Sequence, residues 1–210
     1  MVLPLYLAMT AAEFRPIPHP AFLTLDPGEI PPPEALPVIT DRFPPDAGLL
    51  SRLCQGRDAV LLDFECPPST DTRAVVQSLP CPAAAPPGYS DTGPVFLPPA
   101  PLHVPLEEYL SPWKGREIWL EAALQQQIIT VTPHGVTIAP PAPNTERTGG
   151  FYAPDLHCRF TQEFTEDRAV FTLFDTPQTL REKLEHAAAL GVTRAVGLYV
   201  ELGEKHMSTY

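Results

Sequence analysis

The stretch Arg57-Asp58-Ala59-Val60-Leu61-Leu62-Asp63-Phe64-Glu65-Cys66-Pro67-Pro68 carries the strongest signal in the chain. An apolar run of strand character ends in two carboxylates placed two residues apart, and a pair of prolines stops the strand just beyond them. Side chains alternate faces along a strand, so Leu61, Asp63 and Glu65 share one face while Leu62 and Phe64 share the other. Carboxylates seldom face a packed interior unless they are paired or functional. Two acids side by side at the carboxyl end of a buried strand fit the place where α/β barrels keep their chemistry. The competing reading is a solvated strand end whose acids only mark the surface.

The 210 residues suffice for one domain with a sizeable core, and a single small barrel lies within that length. A hydrophobic fraction of 44% argues against general disorder despite 29 prolines. Those prolines cluster after short apolar runs, as at Pro31 to Pro33, Pro67-Pro68 and Pro86-Pro87, and read as stiff, non-helical connections. The net charge of -11, with no basic cluster, argues against nucleic acid and anionic membrane surfaces as partners. No stretch is long enough to span a bilayer. The apolar segment Met1 to Met9 lacks a basic leader and holds an early proline, so a cytoplasmic location is expected. Cys54, Cys66, Cys81 and Cys158 show no C-x-x-C spacing, and no metal site and no cofactor are expected.

Strand-like runs recur at Leu3 to Met9, Ala21 to Leu25, Pro37 to Thr40, Asp58 to Glu65, Pro94 to Leu97, Glu117 to Leu124, Ala169 to Phe174 and Ala195 to Leu202. Several lack strict alternation, which suits parallel strands buried on both faces. Asp46 to Gln55, Thr70 to Leu79 and Leu106 to Leu110 read as short helices. The strongest helix is Pro177 to Leu190, with Thr176 as N-cap, Pro177 in the first position and Gly191 just past the end. With its flanking strands it reads as a right-handed β-α-β unit. Gln125 to Ile138 carries a hairpin signature around Pro133-His134-Gly135, and Leu156 to Phe164 adds a further strand. The expectation is a single α/β domain over residues 1–210, a small (β/α)8 TIM-like barrel with short or missing helices and a β-rich hairpin insertion at about 125–165.

Asp58 through Glu65 resembles the fourth-strand motif D-x-x-D-x-D-x-E of the family 18 glycoside hydrolases, the chitinase-like barrels, with three of the four acids present. Leu173 to Lys183, continuing through Ala189-Leu190-Gly191 to Gly197-Leu198-Tyr199, looks like the same family's last helix and strand. The resemblance implies substrate-assisted hydrolysis of an N-acetylglucosamine-containing glycan, in which the 2-acetamido group attacks its own anomeric carbon. It implies that Glu65 is the general acid, kept protonated by burial and a like-charged neighbour, and that Asp63 orients the acetamide. Asp58 is then structural.

The departures from the motif are specific. Leu61 stands in place of the second acid. Ile118-Trp119-Leu120-Glu121-Ala122 stands where the resemblance implies a Met-x-Tyr-Asp pattern, so Glu121 takes a related place without the tyrosine. Tyr199 stands where the family's last strand carries a tryptophan. The expected substrate-binding residues are Glu121, Trp119, Tyr199 and Tyr6, with Phe43 and Trp113 as further stacking faces. Trp119 alternates with Ile118, so only one of them faces the lumen. The alternative reading is an inactive barrel that binds a carbohydrate or another small molecule at the same cleft, and a third is an interaction domain whose acids are strand-end decoration.

Overall fold

The computed structural model describes residues 3–42, 46–144 and 147–203; Phe43 lies outside them. Eight parallel strands form the barrel: β1 Leu5–Met9, β2 Pro20–Thr24, β3 Leu36–Thr40, β4 Val60–Asp63, β5 Ala83–Ala84, β6 Val95–Leu97, β7 Ile118–Glu121 and, after a long excursion, β14 Val192–Leu198. Their order around the sheet is β5-β4-β3-β2-β1-β14-β7-β6. One parallel bridge between Ala85 and Val95 brings the two ends together, so the barrel is nearly closed.

β4 alternates as its sequence demands. Ala59 and Leu61 pack into the lumen beside Ala8, Val38, Phe96 and Trp119. Val60, Leu62 and Phe64 pack outward, against Leu49, Leu50 and Leu53 of α1 Ala47–Cys54 and Val76 of α2 Thr70–Gln77. Asp46 caps α1 by accepting the Leu49 N–H at 2.9 Å, and Ser69 caps α2 by accepting the Thr72 N–H at 3.1 Å. On the other side, α3 Leu106–Leu110 and α4 Pro177–Ala189 cover β6, β7 and β14 through Leu106, Leu110, Leu180 and Leu184.

The excursion between β7 and β14 is a separate antiparallel sheet. Its strands are β8 Gln125–Thr132, β9 Gly135–Ile138, β10 Ala142–Pro143, β11 Phe151–Ala153, β12 Cys158–Phe164 and β13 Ala169–Phe174. The expected hairpin is β8–β9, turning at Pro133-His134 with Gly135 at a φ of 139°.

Four expectations are corrected. Ala169–Phe174 is not a barrel strand: it lies antiparallel between β8 and β12, because its apolar side chains bury against that sheet. The β-α-β unit therefore does not form, and α4 instead carries the chain from the antiparallel sheet back to the barrel. The fifth barrel strand is the two-residue β5, so Ile118–Glu121 is the seventh strand and not the sixth. The last strand ends at Leu198, and Tyr199–Leu202 turns into a short helix, α5.

Candidate active site

The carboxyl ends of the barrel strands surround a shallow depression, open to solvent, with a cavity volume of only about 30 Å³. Its floor is apolar, from Ala8, Leu61, Phe96 and Val196, and its polar groups are Asp63 of β4 and Glu121 of β7. Gly197 lets β14 pass this rim closely. A side chain there would meet the Ala122 carbonyl at 2.6 Å and Leu202 at 2.5 Å.

Glu121 ends β7 on the lumen side. Burial, followed by the charges of Asp63, Glu201 and Glu65, pushes its pKa up to about 7. The Asp63 carboxyl is raised as well, first by burial and then by Glu65 and Asp41. Glu201 of α5, at the same mouth, is raised by burial. Strands 4 and 7 thus supply two half-buried acids whose charges oppose each other. A carboxyl that titrates near neutrality beside an ionised one can pass a proton in either direction.

The exit of β4 is fixed by neighbours. The Asp41 carboxylate, just after β3, accepts the backbone N–H of Glu65 at 2.9 Å and of Cys66 at 2.8 Å. Burial works to raise the Asp41 pKa, but the Cys66 and Glu65 donors outweigh it and hold the group below its ordinary value. The Tyr89 hydroxyl donates to the Cys66 carbonyl, and its ring packs edge-on against Phe64 with centroids 5.4 Å apart. These contacts hold the backbone that presents Glu65. Glu65 itself is exposed on the rim, so the burial expected to keep it protonated is absent; the acids at this mouth that burial raises most directly are Asp63 and Glu121, both half-buried. Among the described residues neither Arg42 nor Arg159 pairs with Glu65; Arg159 donates to the Gly149 and Gly150 carbonyls.

Asp63, Glu65 and Glu121 are brought together; the expected aromatic residues are not. Trp119 faces the lumen but is 0% exposed, its indole N–H donating to Glu117 at 2.8 Å and its ring under the Arg194 guanidinium at 4.5 Å. It plugs the lumen and offers no free face. Tyr6 lies toward the amino end of the barrel, beside Arg57, Asp58 and Arg194, with its ring 5.3 Å from that of His19. Tyr199 opens α5 and packs against the outer core, with the Arg15 guanidinium 4.8 Å from its ring. Trp113 also packs against that outer core.

Sequence reading missed Tyr109 of α3. Its hydroxyl donates to the Pro98 carbonyl, just past β6, at 2.9 Å, and burial and then the Glu121 charge raise its pKa to about 12. No local pattern marks it, because only the fold brings α3 beside the end of β7. Among the described residues no group of three or more His, Cys, Asp or Glu side chains is arranged to hold a metal ion. No described helix is long and apolar enough to cross a membrane.

The fold is similar to a solved structure, that of the spore cortex-lytic enzyme SleL of Bacillus cereus. The match has a TM-score of 0.48 and 12% sequence identity, and covers 93% of this chain and 70% of that one. No family model matches the sequence, and no curated protein matches it.

Proposed function

We propose that the chain is a glycoside hydrolase-like barrel that hydrolyses an N-acetylglucosamine-containing glycan with assistance from the substrate's own acetamido group. The observation that carries this reading is the pair of lumen-side acids, Asp63 on β4 and Glu121 on β7, beside Glu65 at one barrel mouth. On this reading Glu65, at the exposed rim, is the acid that protonates the glycosidic oxygen as the bond breaks, and the burial that the role needs is supplied by the bound glycan covering it. Asp63, two residues earlier at the end of β4 and near enough to feel the Glu65 charge, would hold the acetamide and stabilise the positive charge that develops there. Glu121, neutral over much of the range below pH 7, can donate a hydrogen bond to the same group without adding a second fixed charge.

A second reading has its own support. The depression is shallow, Trp119 fills the lumen beneath it, and its lining shows no exposed aromatic face of the kind on which sugars stack. On that reading the mouth binds a glycan or another small molecule without cleaving it.

One experiment separates the two. Reducing-end release from N-acetylglucosamine oligomers is measured for the natural chain, Glu65→Gln and Asp63→Asn. The enzyme reading expects activity that falls by about a hundredfold or more in either variant, with the fold intact by circular dichroism. Binding of the oligomers with no release from the natural chain would favour the second reading. Neither binding nor release would overturn both for these substrates.

A further inference from the structure

We infer that the amino end of the barrel, opposite the mouth that holds Asp63 and Glu121, is a second binding site, which takes a small zwitterion of the free α-amino acid class on Arg194. The cavity there has a volume of about 140 Å³, larger than the depression at the carboxyl end, and Tyr6, Glu34, Ala35, Arg57, Asp58 and Arg194 are among the residues that line it. Its surface is mostly polar. Sites for drug-sized ligands start at ~300 Å³, so this one suits a molecule of only a few heavy atoms.

The two arginines play different parts. The Arg57 guanidinium is spent, because it donates to the carbonyls of Pro31 and Pro32 at 2.6 Å each, of Pro33 at 2.7 Å and of Ala35 at 3.0 Å. Those bonds make the loop before β3 a fixed wall of the cavity. Arg194, near the start of β14, is held by rings instead. Its guanidinium carbon lies 4.5 Å from the ring centroid of Trp119 and 5.7 Å from that of Tyr6. Among the described residues no oxygen accepts a hydrogen bond from Arg194 and no acid pairs with it. A half-buried guanidinium fixed by aromatic stacking, with its donors free, is pre-set for a carboxylate, which it can meet through two parallel N–H donors.

The acids select among anions. Glu34 and Asp58 are exposed at the same cavity, so two positive and two negative side chains line it. A phosphate would meet Arg194 but also those carboxylates, with nothing on the ligand to offset the repulsion. An α-amino acid carries one charge of each sign. With its carboxylate on Arg194, its ammonium has donors for Asp58 and Glu34.

The test follows the isotope-labelled full-length protein by NMR during titration with L-alanine. The expected result is a saturable shift of the Arg194 side-chain N–H and of the Ala35 and Ala59 amides, while the Asp63 and Glu121 amides stay in place. Arg194→Lys keeps the charge but loses the fork, and should weaken alanine binding about tenfold or more. The double variant Glu34→Gln, Asp58→Asn should weaken it several-fold. Acetate, which lacks the ammonium, and inorganic phosphate should both bind the natural chain more weakly than alanine does. Circular dichroism checks the fold of each variant, and if Arg194→Lys does not fold, the comparison of alanine with acetate and phosphate still decides. No shift with alanine, an unchanged affinity in folded Arg194→Lys, or acetate or phosphate binding as tightly as alanine overturns the inference. Glu65→Gln should bind alanine as the natural chain does, so the outcome does not depend on whether the other mouth cleaves a glycan.

Discussion

Glu121 is the residue whose environment says most. Its carboxyl titrates near pH 7 in the folded chain and near 4.5 when unfolded, so between those values the folded state binds the extra proton. Stability therefore falls as pH rises from about 4.5 through about 7 and levels off above. Glu121→Gln removes that slope and is expected to be the more stable protein at about pH 8, by up to about 3 kcal/mol, since each tenfold change in proton affinity is worth about 1.36 kcal/mol. Urea denaturation of both proteins at about pH 5 and about pH 8 checks the sign, and an unchanged slope would count against a buried Glu121. Asp63 was legible in the sequence because Leu61 and Asp63 must share a face when Leu62 and Phe64 share the other. The state of Glu121 was not, since it depends on β4 and β7 facing each other across the lumen. Trp119 was legible as lumen-facing, but its complete enclosure follows from Glu117 and Arg194, which no local pattern pairs with it.

Among the elements, α4 is the most plainly written. Thr176 accepts the Thr179 N–H at 3.2 Å while the Thr179 hydroxyl accepts the Thr176 N–H at 2.8 Å, so each satisfies an orphan donor of the first turn. Thr176→Ala is expected to lower stability by about 1 kcal/mol, read as a shifted denaturant midpoint with unchanged slope. The two elements misread have physical explanations. β5 is two alanines between Pro82 and Pro86, too short and too poor in β-branched residues to stand out, and it is a strand only because β4 lies alongside it. β13 looks like a barrel strand because six apolar-rich residues cannot show whether their partners run parallel or antiparallel. Its partners, β8 and β12, are both in the excursion.

In the whole molecule, the barrel and the antiparallel sheet are joined where β13 meets α4. There the Lys183 ammonium donates to the Asp175 carboxylate at 2.7 Å, with both side chains buried, and Asp175 also accepts the Gln125 N–H at 3.3 Å where β8 begins. Burial raises the Asp175 pKa, with Lys183 opposing it. Lys183→Met leaves that carboxyl unpaired and is expected to cost about 3–5 kcal/mol, whereas replacing both partners with apolar residues of similar size should cost much less. A double-mutant cycle measured by thermal unfolding distinguishes these outcomes. Around the barrel itself, seven of the eight strand junctions are ladders. The eighth is Ala85 against Val95, where Phe96 donates to Ala85 at 2.8 Å and Ala85 to Pro94 at 3.3 Å. The ring of staves thus has one thinly stitched seam. Breathing motions should part it there first, and the amides of Ala85 and Phe96 should take up deuterium ahead of those between β1 and β14. Because the seam runs up to the mouth, each such opening would widen the rim on the side of β5 and β6 while leaving the β4 edge still, so that a bulky guest would enter from one flank.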